Sequence, residues 1–182
     1  MRIFAYCDRR YERPSLKLFD RYADGGLMRT SPPVTVATFD PTWLESQEVI
    51  YLDLHGLPGA RYLYADGEYA LDVDTVRGAN LGGAVVFATS CYMSETPFLR
   101  AFLDAGASAV ITGEGENYGG RWKLTGAGKL AWEFLKWRDE GFMGIDNALG
   151  LAKLELASYR YHRIFHRKAT QDALAFRVWR HE

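Results

Sequence analysis

Five short, mostly apolar runs, at 2–6, 34–39, 49–54, 84–89 and 108–112, alternate along this chain with segments of helical periodicity. Parallel strands must be rejoined by crossovers and are buried on both faces, so this alternation reads as a mostly parallel sheet with helices on both sides. The predicted class is α/β, in three layers. A weaker alternation at 173–179 predicts an edge strand. Residues 61–64 and 68–71 flank Ala65-Asp66-Gly67, an Asp-Gly turn that predicts a small hairpin. The clearest helix is 96–105, where Thr96 can cap, Pro97 suits the first turn and Gly106 the stop. Further helices are predicted at 129–140 and 146–167, and long loops at 24–33 and 113–128. At 182 residues the chain fits one domain, 1–182.

Charge decides which partners are excluded. The net charge is −1, so no global positive field exists to hold nucleic acid or an anionic membrane. The distribution is uneven: residues 40–116 carry 12 acids against 3 bases, whereas 153–182 carry 7 bases against 3 acids. Two cysteines, Cys7 and Cys91, make neither a disulfide framework nor a Cys-x-x-Cys zinc site. With no apolar run approaching the ~18–20 residues that span a bilayer, the expected location is cytoplasmic.

Two of the predicted strands end in residues that do chemistry. Val49-Ile50-Tyr51-Leu52-Asp53-Leu54 runs into His55-Gly56, and Ala84-Val85-Val86-Phe87-Ala88-Thr89 into Ser90-Cys91. Reacting groups gather outside the carboxyl ends of strands in an open parallel sheet, so neighbouring strands would bring His55 and Cys91 to one crevice. A thiol needs a base or a cationic neighbour to act at neutral pH, and imidazole supplies both. Cys7, at the end of the first strand without such a partner, reads as structural.

These residues, the following Phe98-Leu99-Arg100-Ala101-Phe102-Leu103-Asp104-Ala105-Gly106-Ala107 and the later Ile145-Asp146-Asn147-Ala148-Leu149-Gly150-Leu151-Ala152-Lys153 resemble the clan CD cysteine peptidases, with the nearest likeness to CHAT-type caspase relatives. The resemblance covers 49–153 and implies a caspase-like three-layer sandwich and peptide-bond hydrolysis. It makes His55 the base and acid, Cys91 the nucleophile, and the amides of Gly56 and Cys91 the oxyanion donors. The implied partner is a peptide or protein substrate, with no metal or organic cofactor. Relatives often carry an acid or amide two positions before the cysteine, where this chain has Thr89. A basic P1 side chain, favoured by the local acidity, would therefore need Asp53, Glu114 or Glu116. Asp53 shares a strand face with His55, where it can orient the imidazole or line a pocket, or equally bond a neighbouring loop amide.

Other motifs carry less. His162, His166 and Glu155 share a helical stripe, but Arg160, Arg163, Arg167 and Lys168 around them oppose a dication. The glycines at 79–83 precede a strand rather than follow one, and Thr125-Gly126-Ala127-Gly128-Lys129-Leu130 lacks both the first glycine and the hydroxyl of a phosphate loop. Two rival readings share the fold pattern: an inactive caspase-like domain binding a regulatory protein, and a flavodoxin-like nucleotide-binding domain.

Overall fold

The computed structural model describes residues 1–140, 143–159 and 164–181. Its centre is a six-stranded sheet in the order β2-β1-β3-β6-β7-β8. The strands are β1 (Ile3–Asp8), β2 (Gly26–Ser31), β3 (Val49–Asp53), β6 (Val85–Ala88), β7 (Ala109–Thr112) and β8 (Arg177–Trp179). All neighbours pair in parallel except β7 and β8. The remaining strands, β4 (Tyr62–Ala65) and β5 (Glu68–Asp72), form the expected hairpin. Its turn residues Asp66 and Gly67 both have positive φ, 47° and 85°, the backbone that an Asp-Gly turn supplies at least cost.

Period-two alternation in the strands divides the core between two helical layers. Phe4, Tyr6, Ile50, Leu52, Val86 and Val110 face one side, under α2 (Val73–Gly78) and α3 (Pro97–Asp104). Ile3, Ala5, Val49, Tyr51, Val85, Phe87 and Ile111 face the other, under α1 (Glu12–Tyr22), α4 (Gly126–Glu140), α5 (Ile145–Ser158) and α6 (Arg167–Leu174). This is the three-layer α/β sandwich expected. Thr96 caps α3 as predicted, its hydroxyl accepting from the Phe98 N–H at 3.3 Å.

Several boundaries differ from the sequence reading. The second strand is 26–31, inside the predicted loop, and 34–39 is a turn. Polar Arg29 and Thr30 are tolerated in β2 because it lies at the sheet edge, which hid its pattern. The apolar side chains at 34–39 are spent on covering the sheet: Phe39 packs edge-on against Phe4 at 5.9 Å, and Val34 lies against that same core. Helix α1 was not anticipated, although buried Pro14, Ser15, Leu18 and Tyr22 have helical spacing. Helix α4 begins at Gly126 rather than at 129. Helix α5 stops at Ser158 rather than running to 167, since Tyr159 turns extended, with ψ 102°. Among the described residues no helix is long and apolar enough to cross a membrane.

Candidate active site

β3 and β6 are immediate parallel neighbours, with Leu52 opposite Ala88, so the segments that follow them leave the same sheet edge. Beyond β3 the chain pairs briefly with the hairpin: the His55 N–H donates to the Tyr64 carbonyl at 2.8 Å, and the His55 carbonyl accepts from the Tyr64 N–H at 2.9 Å. The next residue, Gly56, packs its backbone on that of Cys91. A Cβ at Gly56 would overlap the Cys91 carbonyl oxygen and lie 3.2 Å from its carbonyl carbon. Only glycine permits this approach, which fixes the His55-Gly56 segment against the Cys91 segment.

The imidazole is held by β1. Asp8, at the strand's carboxyl end, is fully buried, and its Oδ2 lies 3.1 Å from His55 Nε2. The same carboxylate accepts from the Arg10 N–H at 2.7 Å, from Arg10 Nη2 at 2.7 Å and from the Asp66 N–H at 3.0 Å. Burial works against its charge, but these donors outweigh burial and hold the carboxyl below its ordinary range. Arg10 Nη2 is 2.9 Å from His55 Nε2, so guanidinium and imidazole converge on one carboxylate oxygen. The Tyr11 ring flanks the imidazole at 5.5 Å. Asp8, Arg10 and Tyr11 were missed in the sequence. The signal for Asp8 was its place after the last apolar residue of β1, the counterpart of His55 after β3.

Cys91 is half-buried. Its Sγ accepts the Asn117 N–H at 3.2 Å and lies 3.4 Å from the Asn117 carbonyl, to which the S–H can donate. The loop after β7 is lashed over the cysteine by further bonds: Tyr92 N–H to Gly115 O at 2.6 Å, Asn117 Nδ2 to Ser90 O at 3.0 Å, and Gly115 N–H to Glu95 Oε1 at 3.0 Å. Burial pushes the thiol up, against the opposing pull of the Asn117 amide. Among the described hydrogen bonds none joins His55 to Cys91. The imidazole is engaged by Asp8 and Arg10, the thiol by Asn117. Cys7 is fully buried, and burial pushes its thiol up strongly.

The three acids proposed for substrate binding occupy different settings. Asp53 lies beneath the site, where its carboxylate accepts from Thr89 Oγ1 at 2.7 Å, Ser15 Oγ at 3.2 Å and Tyr51 Oη at 3.3 Å; burial raises its pKa. Its described hydrogen bonds run to these side chains, and none reaches the imidazole or a loop amide. Glu114 and Glu116 follow β7 on the same edge, both exposed; Glu114 pairs with Arg177 at 3.3 Å, and Glu116 accepts from Tyr118 Oη at 2.5 Å. Of the histidine stripe, Glu155 pairs with Lys136 at 2.9 Å, while His162 lies outside the described residues. Among the described residues no group of three or more His, Cys, Asp or Glu side chains is placed to hold a metal ion.

No protein-family model matches the chain, and no curated protein matches it. Solved structures do. The Porphyromonas gingivalis RgpB complex of pro- and mature domains superposes with a TM-score of 0.68 at 10% identity, over 97% of this chain and 46% of that one. The Arg-specific cysteine proteinase gingipain R superposes with 0.60 at 14% identity, over 96% and 44%. The Saccharomyces cerevisiae separase in its securin complex superposes with 0.62 at 12% identity, over 98% and 12%. The fold is caspase-like. At these identities the likeness concerns the fold alone, and the chain spans less than half the length of the two gingipain chains.

Proposed function

We propose that this chain is a cysteine endopeptidase in which Cys91 is the nucleophile and His55 the general base and acid. The observation that carries this reading is the seating of Gly56 on Cys91, which joins the two strand ends that bear the imidazole and the thiol. A buried carboxylate beside the imidazole supports it further: with the Nε2 proton directed at Asp8, rather than the Nε2 lone pair directed at Arg10, the Nδ1 lone pair is left to accept a proton. In the proposed reaction Sγ attacks the scissile carbonyl carbon as its proton passes to His55 Nδ1. The tetrahedral oxyanion takes hydrogen bonds from the Gly56 and Cys91 N–H groups. Its collapse expels the amine, which receives the proton from His55. Water, deprotonated by His55, then hydrolyses the thioester and frees the thiol. Asp8 acts through His55 and is a positioning residue.

For the P1 side chain we propose a basic residue. The excess of acids in 40–116 supports this, as does the arginine specificity of gingipain R. Glu114 and Glu116 are the exposed candidates to receive it in exchange for Arg177 and Tyr118, with Asp53 deeper. The test is labelling with peptidyl chloromethyl ketones carrying Arg or Asp at P1, followed by mass spectrometry. Adduct on Cys91, faster with Arg and lost in Cys91→Ala, is expected. Absence of any adduct favours the second reading, an inactive caspase-like domain serving a regulatory partner, to which the hydrogen bonding of the thiol by Asn117 rather than His55 lends support.

A further inference from the structure

The hairpin beside His55 has one face in the core and one in solvent. Leu63, Ala65, Ala70 and Leu71 are fully buried, whereas Tyr62 and Tyr69 remain 37% and 54% exposed. The outward face is aromatic: Tyr69 packs on Tyr62 with ring centroids 4.5 Å apart and on Tyr64 at 5.3 Å. Tyr64 is in turn the residue bridged to His55 through both backbone hydrogen bonds. Directly opposite residues of an antiparallel pair project to the same side, so the tyrosine face leads outward from the imidazole.

Its charge is negative. Residues 61–74 hold one base, Arg61, against four acids, and that base is held by Asp74 at 2.7 Å. The nearby Arg10 is held by Asp8 at 2.7 Å and reaches Asp66 only at 3.9 Å. Glu68 is exposed and makes no ion pair among the described residues, and the Asp66 side chain is 55% exposed at the turn. Tyrosine rings offer a negative π-face to a planar cation, and tyrosine gives a large contact area at low entropic cost.

We infer that this tyrosine face is a docking surface for arginine-bearing, extended segments of polypeptide flanking the bond to be cleaved; calling the ligand a substrate rests on the peptidase reading. Guanidinium groups stack on the rings, while Asp66 at the turn and Glu68, which stands opposite Ala65 at the hairpin's end, add negative potential from beside the tyrosine face. Arginine is preferred over lysine because its planar cation stacks and is weakly hydrated.

The test measures fluorescence anisotropy on the Cys91→Ala chain, with a labelled short peptide of alternating Arg and Gly and its Lys, Gln and Glu counterparts. The Arg peptide is expected to bind tightest and the Glu peptide weakest. Each exposed ring removed should weaken Arg-peptide binding roughly two- to five-fold, and Tyr62→Ala with Tyr69→Ala about ten-fold. Tyr62→Phe with Tyr69→Phe should bind as the parent, and Glu68→Gln should reduce the salt dependence. Equal binding of the Arg and Gln peptides, or an unaffected double alanine variant, would overturn the inference. Should the Arg peptide dock on the tyrosines while the wild-type chain cleaves no arginine-containing polypeptide, the docking surface stands and the peptidase reading falls. Cleavage indifferent to the tyrosines gives the converse.

Discussion

Replacing Gly56 with alanine is the sharpest single test of how the site is assembled. The added methyl would overlap the Cys91 carbonyl oxygen, so one segment must retreat by roughly an ångström to restore an ordinary carbon–oxygen contact. Overpacking commonly costs about 1–3 kcal/mol, and here the obstruction is main chain, which cannot rotate aside; we expect about 3 kcal/mol. In a chain of this size 1 kcal/mol shifts the melting temperature by about 2–4 °C, so a fall of about 6–12 °C is predicted. Because the displaced amides are the proposed oxyanion donors, peptide cleavage should drop by about 100-fold or more. Thermal melts followed by circular dichroism, together with the cleavage assay, read both effects. Gly150→Ala is the control: it sits within α5 with nothing within 4 Å of its added methyl and should gain up to about 1 kcal/mol. A Gly56→Ala chain that melts with the wild type and cleaves at the wild-type rate would refute the reasoning.

Asp8→Asn should lower kcat by about 10-fold or more with little change in KM, since it disturbs the tautomer of His55 rather than substrate contacts; an unchanged kcat would remove Asp8 from the site. The two acids of the site should give opposite pH dependence in denaturation midpoints. Asp8, whose folded pKa is lowered, adds stability that is complete above the ordinary carboxylate range and is lost as pH falls below about 4, so Asp8→Asn flattens the acid limb. Asp53, whose folded pKa is raised, makes stability decline as pH rises from about 4 through its own pKa, and Asp53→Asn should remove that decline. Iodoacetamide should modify Cys91 well before the fully buried Cys7, and more slowly than a free cysteine at pH 7 because the Cys91 thiol is pushed up; equal rates at the two sites, by peptide mapping, would contradict the burial argument.

Periodicity and turn chemistry carried much of the architecture in the sequence. The apolar runs ending at His55 and Cys91 are strands because they are buried on both faces, and that burial demands an unbroken apolar pattern wherever the strand is central. The Thr96 cap and the Asp66-Gly67 turn were equally legible, since each satisfies its backbone within a few residues. Where a strand lay at the edge, as with β2, one side lacked a partner, the apolar pattern thinned and the sequence no longer marked it. Only the tertiary structure decided how the candidate site is wired. His55 meets Asp8 across 47 residues, and Cys91 meets the Asn117 amide across 26. These contacts depend on which strands become neighbours and how a glycine-rich loop closes over them, and neither follows from a local period. A buried carboxylate at a strand end looks like any other aspartate until the adjacent strand places an imidazole against it.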